Sequence, residues 1–296
     1  MDGFEWMFFP LLALAIAGIA FFSARSSRRE SLALRLEGIR VGRLIERLLV
    51  DLQQHRGMVN AFLSGDSSFR PKIEQKQAAI GQDIAALDAL HGQGLMTESR
   101  WESIRNTWQA LRAEATALPA EESFSRHCEL IRAVLYAMGD VAERSQIVGV
   151  CAADFALVDA LWNKLPAVAE GLGQARGMGS SVAAKGCCSS VARIKLRFLE
   201  EHIGETVGWV DSDLAHADTA QAAAFARAWE ASHVAVHEFL TLLDEKLINV
   251  ERPAIDAGHY FSAGTKAMDA VFQAFDQACD ALESTLVGMG ADARTA

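Results

Sequence analysis

Apolar residues spaced three and four positions apart run through most of the chain, and this spacing constrains the fold most. One stripe includes Leu48, Leu52 and Val59, and a later one includes Phe225 and Trp229. Residues at this spacing share one face of an α-helix, whereas a half-buried strand would alternate apolar and polar residues. Only five prolines interrupt the 296 residues, and short Gly- or Pro-containing segments separate the stripes: Gly65-Asp66, residues 91–94, Pro119 and Pro253. The sequence predicts an all-α protein of roughly eight long antiparallel helices.

The chain repeats part of itself. Residues 52–58 read LQQHRGM and residues 172–178 read LGQARGM, so five of the seven positions are identical. Each copy lies within a helical pattern and is followed by further helices. We therefore predict an internal duplication, in which residues 30–147 and 148–296 form two antiparallel four-helix bundles that together make one sensing domain.

The N-terminal segment has the character of a membrane anchor. Trp6–Phe22 carries no charge and is just long enough to span a bilayer, and Arg25, Arg28 and Arg29 follow it. A secretory signal would carry its positive charge before the apolar run. The positive-inside rule then predicts a single-pass inner-membrane protein anchored by residues 1–29, with a cytoplasmic domain. A periplasmic domain is the alternative.

A GxxxG spacing follows the predicted anchor. Gly38 and Gly42 lie four residues apart on a helix leaving the membrane. Small residues at this spacing let two helices approach closely. The pair suggests a homodimer contact that could pass motion between the anchor and the domain.

Composition and motifs narrow the function classes. The formal net charge of −10 disfavours nucleic acid as a partner, so an anionic ligand would have to meet a local basic site. The sequence contains no nucleophile elbow, P-loop, dinucleotide fingerprint or HExxH motif. We expect no enzyme activity and no cofactor.

One pair of histidines has the spacing of metal ligands. His233 and His237 lie one helical turn apart, and Asp211, Asp213 and His216 are the nearest additional ligand types in the sequence. Such a pair on a helix is more often structural or solvated than metal-binding. We expect no metal site.

Arg56 occupies an unusual position in its helix. At 100° per residue, Ile45, Leu49 and Leu52 fall within about 40° of it around the helix. Arg176, the equivalent residue of the second copy, shares a face with Leu172, and with earlier apolar residues only if the helix continues, kinked, through Pro166. Both copies therefore direct a permanent positive charge at the interior.

A buried guanidinium costs several kcal/mol unless something compensates it. A carboxylate on a neighbouring helix is one solution, and a bound planar oxyanion is the other, because the arginine fork fits such anions bidentately. Gly57, Gly173 and Gly177 remove side-chain bulk beside the two arginines. They would allow either close helix packing or room for a ligand.

The same motifs carry a resemblance. LQQHRGMVNAFLSGD, followed by KIEQKQAAIGQDIAAL, resembles the opening of the nitrate- and nitrite-sensing (NIT) domain family. GQARGMGSSVAAKG resembles its second Arg-Gly helix, and HYFSAGTKAMDAVFQAFDQA its closing segment. The resemblance implies two four-helix bundles that clasp nitrate or nitrite, with Arg56 and Arg176 as ligands and Gln53 lining the pocket. His55 departs from the family's usual Glu.

These observations predict a membrane-anchored sensor that binds a small oxyanion between two helical bundles and signals to a separate, unidentified partner. One nitrate cannot neutralise two arginines, so a nearby acid, access for water or a larger anion is also required. The alternatives are a structural or scaffolding protein with internal Arg–carboxylate pairs, and a chemoreceptor-like sensor of another small ligand.

Overall fold

The computed structural model describes residues 5–91, 94–147, 155–216 and 219–295. Within these ranges the chain is helical and contains no strand, which confirms the all-α prediction. The helices are α1 (Glu5–Leu63), α2 (Arg70–His91), α3 (Glu98–Glu114), α4 (Ala120–Arg144), α5 (Phe155–Asp159), α6 (Leu165–Lys185), α7 (Ser190–Ala215), α8 (Ala220–Leu243) and α9 (Ala257–Thr295). A 3₁₀ turn (Ser67–Phe69) precedes α2, and π-helical turns follow α5 (Ala160–Lys164) and α8 (Asp244–Ile248).

The helix contacts explain where the interior lies. Helix α1 packs against α2 and α4, and α3 packs against α4. In the later part of the chain, α6 packs against α7 and α9, and α8 packs against α9. Helix α1 also contacts α6 and α9, so the two copies of the Arg-Gly motif face one interior. The description of these groups as two antiparallel four-helix bundles, and the boundary at residue 147, stay predictions.

Turn residues end several helices where the sequence predicts. Gly65 follows α1 with a φ of 109°, a left-handed conformation that only glycine adopts readily. Pro71 lies in the first turn of α2, where its missing N–H costs nothing, and Pro119 precedes α4. Of the predicted connector 91–94, Gly92 and Gln93 lie outside the described residues.

The helix of the second motif does continue, in altered form, through Pro166. Helix α5 passes through the π-helical turn into α6, and Pro166 lies in the first turn of α6. Proline has no N–H to donate back along the helix, so a locally widened turn at this point has a physical cause. Val158 and Leu165 are buried, as that continuation requires.

The structure bears on two predictions for the N-terminal region, the membrane anchor and the Gly38–Gly42 dimer contact. Along the described residues, no helix combines the length and the apolar content that crossing a membrane requires. The predicted anchor over residues 1–29 therefore gains no support from the structure and stays a prediction. Gly38 lies against Ser145, and Gly42 lies against the ring of Trp162. This glycine pair therefore serves packing within the chain, and the predicted homodimer gains no support from it.

Candidate functional site

The two arginines of the repeated motif lie in one site between α1 and α6. Arg56 is 2% exposed and Arg176 is 5% exposed. Each motif's glycine-bearing helix lies against the other motif's arginine: a Cβ on Gly173 would lie 2.8 Å from Arg56 Nη2, and one on Gly57 would lie 3.8 Å from Arg176 Nη2. The small residues thus let two guanidinium groups enter the same interior.

Both terminal nitrogens of Arg56 are held by groups of the protein. Its Nη1 lies 2.5 Å from Glu170 Oε1 and its Nη2 lies 3.1 Å from Glu170 Oε2, a bidentate ion pair. Nη1 also donates to Cys128 Sγ at 3.0 Å, and the ring of Phe124 lies 5.0 Å from the guanidinium carbon. Burial is the largest single effect and lowers the pKa of Arg56, but the charge and hydrogen bonds of Glu170, together with Cys128, raise the pKa above its usual value.

Glu170 is the fixed acid of the site, and sequence reasoning did not identify it. Besides Arg56, its two oxygens accept hydrogen bonds from Gln53 Nε2 at 3.0 Å and Gln174 Nε2 at 2.8 Å. Its side chain is buried, as a fully partnered carboxylate can be. The available signal was that Glu170 is the lone charged residue between Lys164 and Arg176.

Arg176 has a different environment. Its Nη1 donates to Thr265 Oγ1 at 2.8 Å, and its guanidinium carbon lies 4.5 Å from the centre of the Phe261 ring. Its Nε is buried and has no hydrogen-bond partner. No carboxylate in the part of the chain that the structure describes lies within 4 Å of this guanidinium. Burial, and then the charge of Arg56, lowers the pKa of Arg176 to about 10, so the group stays charged at neutral pH.

A cavity of about 170 Å³ lies beside the arginines. A water molecule's share of liquid volume is about 30 Å³, so the cavity can hold a small polyatomic ion. Its walls also contain the buried Ser180 Oγ and Gln53 Oε1, which have no partner within the described residues. With Arg56 neutralised by Glu170, the cavity keeps one net positive charge. The lining residues are Gln53, Arg56, Gly57, Asn60, Ala61, Ser64, Phe124, Gly173, Arg176, Gly177, Ser180, Ser181, Ala184 and Phe261.

Comparison with known proteins places the chain in a family. The sequence profile of a family described as nitrate and nitrite sensing (NIT) matches residues 47–284, which is most of the chain. The chain belongs to the NIT family. A solved structure, that of the NasR transcription antiterminator, matches this NIT chain with a TM-score of 0.69 and 19% identity, covering 92% of this chain and 74% of that one. At this identity the likeness supports the fold alone. No curated protein matches the NIT chain.

In this NIT chain, the six residues that the sequence singled out line the same cavity. They are Gln53, Arg56, Gly57, Gly173, Arg176 and Gly177. The predicted need for a nearby acid is met by Glu170. The other contributors are Phe124 of α4, Ser180 of α6, and Phe261 and Thr265 of α9. The last three lie in the segments that carry the family resemblance, but none of the four was predicted to contribute to the site.

His55, which stands where the NIT family usually has Glu, turns away from the cavity into a buried chain of hydrogen bonds. His127 Nδ1 donates to the Ser123 carbonyl at 2.7 Å, so His127 Nε2 accepts from His55 Nδ1 at 2.8 Å. His55 Nε2 then accepts from Gln77 Nε2 at 3.3 Å. Burial, with the neighbouring charges, lowers the pKa of His55 to about 3 and that of His127 to about 4. Both imidazoles are neutral.

The second histidine pair of the NIT chain does not line the cavity. His233 Nε2 lies 3.2 Å from Asp211 Oδ2, and the rings of His233 and His237 stack with centroids 6.5 Å apart. Within the described residues, no group of three or more potential ligands is arranged to hold a metal ion. His216 instead pairs with the Ser212 carbonyl at 2.6 Å, and Asp213 pairs with Lys164.

Proposed function

We propose that this chain senses nitrate or nitrite by binding the anion in the cavity between α1 and α6. The observation that carries the proposal is the Arg176 guanidinium, which is buried at the cavity wall and has a donor without a protein acceptor. A charge in that position is unfavourable unless an anion compensates it. Membership of the NIT family supports nitrate or nitrite as that anion.

The chemistry of the cavity matches a small planar monovalent anion. The side of an arginine that carries Nε and Nη2 forms a flat fork, which binds two oxygens of a planar oxyanion at once. Ser180 Oγ lies in the same wall and can donate a further hydrogen bond. One net positive charge in the cavity balances one negative charge on nitrate or nitrite. We propose that Arg176 is the principal ligand and that Arg56 supports the site through Glu170.

Signalling would follow from the position of the site. The anion would bind Arg176 and Ser180 of α6 in a cavity that α1 also lines, and it would favour the arrangement of helices that encloses it. A separate partner would read that shift. We propose a sensor without enzyme activity, anchored by residues 1–29 to the inner membrane with its domain in the cytoplasm, on the sequence grounds given above.

One specific observation favours a structural role instead. The Arg56–Glu170 pair is the internal ion pair that a scaffolding protein would contain. That alternative explains Arg56 but leaves Arg176 uncompensated. A chemoreceptor-like sensor of another small ligand would differ from the proposed function only in the anion bound.

Calorimetry with nitrate, nitrite, formate and sulfate tests the proposal. We expect nitrate or nitrite to bind the wild type, and Arg176→Ala to reduce the affinity at least tenfold while circular dichroism stays unchanged. Arg40→Ala is the matched control, because it removes the same charge from a side chain that is 64% exposed. Equal heats for wild type and Arg176→Ala would contradict the proposed function, as would a wild type that binds none of the anions.

A further inference from the structure

The carboxylate of Glu170 determines how many positive charges the cavity offers. It occupies both terminal nitrogens of Arg56, at 2.5 and 3.1 Å, and all four of its hydrogen bonds come from within the protein. The end of Arg56 formed by its two terminal nitrogens is therefore taken and is not available to a ligand. Arg176, whose Nη1 is held by Thr265, is left to present one fork to the cavity.

Glu170 also sets the orientation of the Gln53 side-chain amide. A carboxylate can only accept, so Gln53 must turn its NH₂ group toward Glu170, at 3.0 Å. This orientation leaves Gln53 Oε1 as a buried acceptor without a partner, in a residue that lines the cavity. A carbonyl oxygen at the wall disfavours additional negative charge in the ligand. Glu170 thus acts on the cavity both by its own charge and by the direction of the Gln53 dipole.

We infer that Glu170 is the specificity-determining residue of the site: by holding the cavity at one net positive charge and by occupying the terminal nitrogens of Arg56, it selects monovalent planar anions over divalent ones. This inference rests on the proposed function. It goes further in assigning the choice between anion classes to a residue that makes no contact with the cavity's open fork.

The test compares nitrate with sulfate by calorimetry at constant ionic strength. Glu170→Gln keeps the shape of the side chain, removes its charge, and frees Gln53 to turn an N–H toward the ligand. We expect the wild type to prefer nitrate by at least ~10-fold, and E170Q to reduce that preference at least ~10-fold by gaining sulfate affinity. Asp269→Asn is the matched control: it makes the same charge change at an exposed acid that attracts Arg176 from outside the cavity, and should alter the ratio less than ~3-fold.

A second variant keeps the inference testable if E170Q does not fold. Arg56→Gln combined with Glu170→Gln removes both charges of the pair, so the cavity again holds one positive charge. We expect the preference for nitrate to return most of the way to the wild-type value, because only the orientation of Gln53 still differs. Loss of that preference in the folded double variant would overturn the inference. So would an unchanged ratio in E170Q, or an equal change in D269N.

These outcomes differ from failure of the proposed function. A wild type that binds neither nitrate nor nitrite would remove the sensor proposal and the role of Glu170 together. A wild type that binds nitrate with a selectivity independent of Glu170 would remove only the latter.

Discussion

Arg56 and Arg176 hold the same position in two copies of one motif, and their surroundings differ in almost every respect. Arg56 has a carboxylate, a thiol and an aromatic ring around it, whereas Arg176 has a hydroxyl, an aromatic ring and an unpartnered Nε. The position equivalent to Glu170 in the first copy is Val50. One acid therefore serves a site with two arginines, and this asymmetry leaves one arginine neutralised and the other without a carboxylate within 4 Å in the described part of the chain.

The largest expected difference between the two arginines is in stability. Arg56→Ala leaves Glu170 buried without its counter-charge, and we expect the free energy of unfolding to fall by about 3–5 kcal/mol. Arg176→Ala removes a charge that no carboxylate balances at short range, so it should cost much less. Urea denaturation in anion-free buffer measures both. Similar losses in the two variants would show that the arginines are equivalent after all.

The glycines beside the arginines should show the same contrast. A methyl group at Gly173 would lie 2.8 Å from Arg56 Nη2, which Glu170 holds in place, and we expect Gly173→Ala to cost about 1–3 kcal/mol. Gly57→Ala meets Arg176 Nη2 at an ordinary 3.8 Å, and helix propensity should make it neutral or stabilising by up to ~1 kcal/mol. Thermal unfolding of the two variants measures these changes in stability. A destabilising G57A would mean that Arg176 is held as firmly as Arg56.

Low pH should destabilise the fold through the first copy of the motif, which contains His55. The equivalent residue of the second copy is Ala175, which does not titrate. The folded pKa values, about 3 for His55 and about 4 for His127, lie below the usual 6.5. The unfolded chain therefore binds protons first. The stability from these neutral imidazoles is fully present above pH 6.5 and is lost as pH falls toward 4 and then 3. Each contributes up to about 1.4 kcal/mol per pH unit.

Several acids oppose this trend. Burial raises the pKa of Glu46 to about 8, so Glu46 contributes stability that decreases as pH rises from 4.5 to 8. Burial also raises the pKa values of Asp83, Glu200 and Asp269, which act in the same direction. The contribution of the imidazoles is therefore measured by NMR titration, because denaturation reports the sum of both groups. Imidazole NMR signals of His55 that titrate near pH 6.5 in the folded protein would refute the neutral hydrogen-bonded pair.

The smallest expected effect concerns the contacts that orient each guanidinium. Thr265→Val removes the acceptor of Arg176 Nη1 without changing side-chain shape, and we expect nitrate affinity to fall about fivefold, equivalent to ~1 kcal/mol. Cys128→Ala removes the corresponding contact of Arg56, which Glu170 still holds, and should leave affinity nearly unchanged. If the two variants lost affinity equally by calorimetry, the anion would depend on both arginines alike.

Sequence periodicity predicted much of this molecule because helices are local structures. The helical class, the turns near Gly65 and Pro119, and the inward direction of Arg56 all follow from residues within one or two turns of each other. The repeat extended the predicted inward direction from Arg56 to Arg176. The irregular passage through Pro166 was also foreseeable, since proline removes a helix hydrogen bond.

The partners of each arginine could not be predicted in that way. Glu170 reaches Arg56 across 114 residues of chain, and Thr265 reaches Arg176 across 89. Such contacts depend on how helices are placed against each other, which spacing within a helix does not encode. The Gly38–Gly42 spacing illustrates the same limit, because its close approach is to Ser145 and Trp162 within the chain.

Two permanent charges enter a helical interior because each lies on the apolar side of its own helix, and the amino-acid pattern alone shows this. That one of them meets a carboxylate and the other meets a cavity follows from how the helices pack. The physical reason is that burial of a charge is set by local amphipathicity, whereas its neutralisation requires an atom within about 3 Å, supplied by whichever helix packs there.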